Sequence, residues 1–110
     1  MFAEVKDTLP ISGDDYDGWI IREIKAAALD LTTSAEIELP GTIDITISSQ
    51  GVITDNSTLK DELIIATIAT WCNMRIGNPP NYDSLLAAYN SLKGQLRLSS
   101  TYTRSEAVSS

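Results

Sequence analysis

The chain has no histidine and only one cysteine among its 110 residues. The commonest general base and the commonest metal ligand are therefore missing, and an internal disulfide is excluded. A lone cysteine also fits a reducing compartment. Cations are scarce, with eight Lys and Arg against fifteen Asp and Glu, for a net charge of −7. That balance argues against nucleic acid as a firmly held ligand, because neutralising phosphates takes clustered Lys and Arg. No apolar run approaches the ~20 residues that cross a bilayer, so no membrane partner is expected. The opening Met1-Phe2-Ala3-Glu4 has neither the basic nor the apolar region of a secretory signal. No Gly-rich stretch precedes a helix with the spacing of a phosphate or dinucleotide loop.

The remaining candidates for chemistry are weak. With Gly18 placed at the invariant glycine of a calcium loop, Asp15 and Asp17 take ligand positions, but the first ligand falls on Gly13 and the closing acid on Ile24. The acids of Gly13-Asp14-Asp15-Tyr16-Asp17 suit the positive end of a helix dipole without any metal. Cys72 lies mid-helix on an apolar face and reads as core, and the serines sit in caps and the tail without a base. We expect no metal, no cofactor and no catalysis.

What is present is the composition of one folded domain: 43% hydrophobic and 21% charged residues. A domain of this size buries only about two thirds of its unfolded surface, so partner subunits have room to add stability. The charges are unevenly placed. Residues 1–62 hold thirteen acids and four bases, a balance of −9, and residues 63–110 hold two acids and four bases, a balance of +2. Such a split can orient head-to-tail contacts between copies, and an acidic surface also simply keeps a protein soluble.

Periodicity predicts mainly helix. Phe2, Val5 and Leu9 share a face of a short helix stopped by Pro10. Ser12 or Asp14 can cap a second helix from about Asp15 to Leu31, with Ile20, Ile24, Ala27, Ala28 and Leu31 as its stripe and Trp19 at the margin. Trp19 can be core or an interface anchor; Trp71 reads as core. Period-two alternation then predicts strand pieces at Glu36 to Leu39 and Thr42 to Ser48, followed by a turn at Gly51 and by Val52-Ile53. Two strands alone are marginal, so they must lie on the helices or be completed by another chain. Asp55 to Thr58 offers caps for a helix from about Leu59 to Ile76 that is apolar nearly all round, including Ile64, Ile65 and Ile68. Neighbouring subunits are one expected cover for it. Gly77-Asn78-Pro79-Pro80 ends it, and Asn81 or Asp83 caps a last helix from Tyr82 to Leu98 with Leu85, Tyr89, Leu92 and Leu96 as its stripe. Residues 99–110 read as an extended arm. The expected fold class is mainly α: a small bundle of three to four helices over residues 1–98 with a β-hairpin or extended insertion at about 34–56.

Two blocks resemble the small head–tail connector, or adaptor, family of tailed bacteriophages. The first runs from Val5-Lys6 through Leu9-Pro10-Ile11 and Ser12-Gly13-Asp14-Asp15-Tyr16-Asp17 to Ile20-Ile21 and Ala26-Ala27-Ala28. The second runs from Leu59-Lys60-Asp61-Glu62 to Trp71 and Arg75, then through Asn78-Pro79-Pro80-Asn81-Tyr82 to Leu96. Residues 34–56 depart from it. The resemblance implies a virion protein of the neck, assembled in the host cytoplasm as a homo-oligomeric, dodecameric ring. Its implied partners are the portal protein and a stopper or tail-completion protein, with DNA passing through transiently. Interface candidates are Trp19, Ile64, Ile65, Ile68, Tyr82, Arg97, Tyr102 and Arg104, and the arm is expected to reach the portal. Glu36, Glu38, Asp44 and Asp55 are candidates for a channel lining that repels DNA and lets it slide. Another neck or tail-completion component and a bacterial helical binding module remain as alternatives.

Overall fold

The computed structural model describes residues 1–11, 13–76, 79–99 and 102. Its elements are α1 (Phe2–Asp7), α2 (Asp17–Thr33), β1 (Ile45–Ile47), β2 (Ile53–Asp55), α3 (Glu62–Arg75) and α4 (Tyr82–Leu98). The protein is thus a mainly helical small domain with an antiparallel two-stranded hairpin inserted between α2 and α3.

α2 and α3 form the centre. α4 packs chiefly on α3, whereas α1 packs on both α3 and α2, and β1 packs on α2. The stripe of α2 is buried at Ile20, Ile21, Ile24, Ala27 and Leu31, and α1 contributes Phe2 and Val5 with Leu9 just beyond its end. α3 runs down the middle, which explains an apolar surface on nearly every side of it. Ile64, Ile65 and Ile68 are buried by the chain's own helices. The expectation that these three face neighbouring subunits is therefore corrected, because α1, α2 and α4 surround α3 sufficiently.

Helix starts differ from the sequence reading at two places. α2 begins at Asp17 with Tyr16 as its N-cap and no side-chain cap bond, while Asp14 reaches Lys6 Nζ at 3.4 Å. α3 begins at Glu62, and its cap is Asp61, whose Oδ1 accepts the Ile64 amide at 3.0 Å. The cap-like residues upstream have another use. Ser57 and Thr58 hydroxyls accept the amides of Asp44 and Thr42 at 2.9 and 2.8 Å, extending the hairpin ladder below its last regular pair. α4 has the bounds the sequence indicates, Tyr82 to Leu98.

The hairpin pairs Ile45 with Asp55, Thr46 with Thr54 and Ile47 with Ile53. Its loop closes through Ser48, whose amide donates to the Val52 carbonyl at 2.9 Å, with Gly51 at φ 82° supplying the left-handed residue. Gly41 meets a different demand: a Cβ there would lie 2.7 Å from the Leu59 Cα, so only glycine lets the two backbones approach. The expected strand at Glu36 to Leu39 does not form. Glu36 turns into the left-handed region at φ 56°, and the Ile37 amide returns to the Leu31 carbonyl at 3.1 Å. Burial of Ala35 and Ile37 beneath the end of α2 accounts for that turn, which costs about 1 kcal/mol in a residue with a Cβ.

Candidate functional site

Chemistry offers little purchase on the described surface. Cys72 is buried, and burial together with the negative charge of Glu23 pushes its thiol up to about 12. A thiol that resists ionisation is a core residue and not a nucleophile. Among the described residues, no group of three acids or thiols could hold a metal ion. No helix among them is long and apolar enough to cross a membrane.

The four acidic candidates separate into two kinds. Glu36, Glu38 and Asp44 are exposed, on the connection from α2 to β1. Asp55 is not free to line anything. Its side chain is 20% exposed and accepts the Phe2 amide at 2.7 Å, the Met1 amino group at 2.8 Å and the Ser57 amide at 3.0 Å. Burial alone would raise this carboxyl, but these donors hold it well below the ordinary carboxylate range. Asp55 therefore ties the start of α1 to the foot of the hairpin, which corrects its assignment to a channel lining.

The remaining interface candidates also divide. Tyr82 and Arg97 are exposed at opposite ends of α4. Tyr102 is docked on its own domain: its hydroxyl donates to Asp61 Oδ2 at 2.7 Å, and its carbonyl accepts the Glu38 amide at 2.7 Å. Tyr102, expected within the extended arm as an interface residue, is thus held against its own domain. Arg104 lies outside the described residues, as does nearly all of the expected arm.

Trp19 is half-buried and belongs to a cluster that the sequence did not reveal. Its indole N–H donates to Glu23 Oε2 at 3.1 Å, and the Trp71 indole N–H donates to Glu23 Oε1 at 2.9 Å. Arg75 Nε stands 3.4 Å from the same oxygen, with its guanidinium 5.2 Å from the Trp71 ring centroid. The Trp71 ring meets Tyr89 edge-on at 5.2 Å, and Tyr89 donates to Asp30, which Lys93 also reaches at 3.0 Å. Burial tends to raise the Asp30 carboxyl, yet the Tyr89 and Lys93 bonds hold it below its usual value. The cluster joins α2, α3 and α4 by charge-assisted bonds and leaves each polar group satisfied. Its geometry is that of a brace, and no buried side-chain polar atom among the described residues lacks a partner.

Two concavities mark the surface. A cleft of about 410 Å³ lies where α1 ends beside the end of α3 and the start of α4, between Thr8, Pro10, Asn73, Ile76, Pro79 and Leu85. A shallower hollow, also about 410 Å³, is lined by Gly94, Arg97 and Leu98 near the end of α4. The large apolar side chains left outside include Ile47 and Val52 at the hairpin tip, 41% and 60% exposed, and Leu98, 90% exposed. Comparison with protein families, with curated proteins and with solved structures finds no match to this chain.

Proposed function

We propose that this chain is a structural subunit of a tailed-phage neck. It assembles into a ring that joins the portal of the capsid to the tail and lets DNA pass. The observation that carries the proposal is exposed charge and apolar surface on two separate elements, the hairpin and the end of α4. The hairpin side exposes Asp44, Ile47 and Val52, and the α4 side exposes Arg97 and Leu98. A body with unlike sticky faces suits repeated heterologous contacts, which close into rings when the rotation allows. The resemblance over residues 5–31 and 58–98 supplies the identity of the ring. About half of the chain is helical. That weighs against the stopper or tail-completion reading, whose members tend to be richer in strands. Glu36, Glu38 and Asp44 remain the exposed acids suited to repelling DNA in a channel.

Sedimentation of the purified chain, alone and with a cognate portal protein, tests the proposal. The expected result is a discrete species many times the 11.9 kDa of one chain, or co-sedimentation with the portal. A chain that stays monomeric at every concentration and ignores the portal would overturn it.

A further inference from the structure

We infer that the outer face of α2 is a docking surface for an acidic helix of another protein. The inference goes beyond the ring reading and does not depend on it. α2 carries three acids and two bases, and the fold treats the two kinds differently. Each acid is turned inward and engaged. Asp17 is buried against Lys6 Nζ at 2.7 Å, Glu23 holds both indoles, and Asp30 takes Tyr89 and Lys93. The side chains of Arg22 and Lys25 are exposed and have no partner among the described residues. At ~100° per residue, Arg22, Lys25 and Leu29 fall within about 60° of arc, on the side of the helix away from Ile20, Ile24, Ala27 and Leu31. Leu29 is 62% exposed there. An acidic chain thus keeps a strip of two unpaired cations, with a large apolar side chain one turn on, along the back of a helix whose front makes the core.

Charge complementarity names the occupant. The two cations call for two carboxylates about one helical turn apart, and Leu29 calls for an apolar side chain one turn further. A second helix laid along α2 presents that pattern, because its own i, i+3 and i+7 positions share a face. Duplex DNA fits poorly: two cations neutralise two phosphates, and the net charge of −7 opposes the rest. An anionic membrane meets the same opposition and would bury one leucine. A second copy brings its own −7 to the approach, whereas another protein need be acidic only along the docking helix.

The test uses the full chain and a labelled synthetic helix of about 16 residues, with two Glu three positions apart in its middle and Leu one turn to either side. Fluorescence anisotropy should show saturable binding that weakens with salt. Arg22→Glu with Lys25→Glu should weaken it by roughly tenfold or more, and a peptide with Lys in place of Glu should bind that variant better than it binds the native chain. Lys60→Glu with Arg97→Glu changes the net charge equally at exposed positions outside α2, and should leave the affinity within about twofold. Leu29→Ser should cost several-fold through the apolar contact alone. All of these positions are exposed, so helical circular dichroism should persist in every variant. The inference fails if the native chain does not bind the peptide, if the Arg22 and Lys25 reversal binds it equally well, or if the Lys60 and Arg97 pair loses as much. It fails as well if that reversal instead abolishes self-association, binding to duplex DNA or binding to anionic vesicles, each of which would assign the strip to that occupant.

Discussion

Replacing Glu23 by alanine removes one carboxylate and leaves three donors without an acceptor: the indole N–H groups of Trp19 and Trp71 and the Nε of Arg75. The Glu23 side chain is only 13% exposed, whereas Arg75 is half exposed. A hydrogen bond to a charged group contributes ~1.5–3 kcal/mol where water is excluded. Here the tryptophans are half-buried, so water takes over part of each lost bond, and Arg75 is largely rescued by solvent. A total loss of about 2 kcal/mol follows, on the order of 1 from each indole. With a urea dependence of ~2 kcal/mol per molar for a chain of this size, the unfolding midpoint should fall by about 1 M. Glu23→Gln retains one carbonyl oxygen for one indole and should lose roughly half as much. The assay carries its own reporter, because the chain has two tryptophans and both sit on this carboxylate. The native emission should change in both variants, more in alanine than in glutamine. A midpoint shift below ~0.2 M in Glu23→Ala, with unaltered emission, would refute the claim that this carboxylate braces α2 to α3.

Asp55 predicts an acid limit. Its carboxyl is depressed in the folded chain, so the stability it contributes is present above the ordinary carboxylate value near ~4 and is lost as pH falls through the folded value. Asp55→Asn should be less stable at pH 7 and show a shallower loss between about pH 4 and lower values; identical pH profiles in urea unfolding would contradict the tie between hairpin and α1. Cys72 predicts the opposite sign. Its thiol is raised to about 12, so its contribution is fully present below the ordinary thiol value of ~8.5 and fades as pH climbs toward the folded value. In the native chain at pH 8 a thiol reagent should react far more slowly than with the urea-unfolded chain, and equal rates would show that Cys72 is not enclosed.

Much of the architecture was legible because local pattern and tertiary packing agree. α4 carries a clean stripe and a firm break before it, and its bounds can be read directly. The alternation around Ile45 to Ile47 marks the hairpin in the same way. The start of α3 could not be placed, because Asp55, Ser57 and Thr58 look as good as caps as Asp61 does. What decides is remote: the hydroxyls of Ser57 and Thr58 accept the amides of Asp44 and Thr42, respectively, across the hairpin. Ile64, Ile65 and Ile68 were misjudged for a related reason. A helix apolar all round asks for cover, and the sequence does not say whether that cover comes from the same chain. The brace at Glu23 was illegible because it depends on how residues 48 positions apart meet when α2 packs on α3. Asp55 is similar, since its partner Phe2 is 53 positions away.

The ring proposal is tested most directly by electron microscopy of the purified chain, alone and mixed with a cognate portal. A ring subunit should give end-on views of a closed annulus with an open centre, stacked on the portal in side views. Isolated single-chain particles, or open filaments with no closed ring and no portal bound, would contradict it.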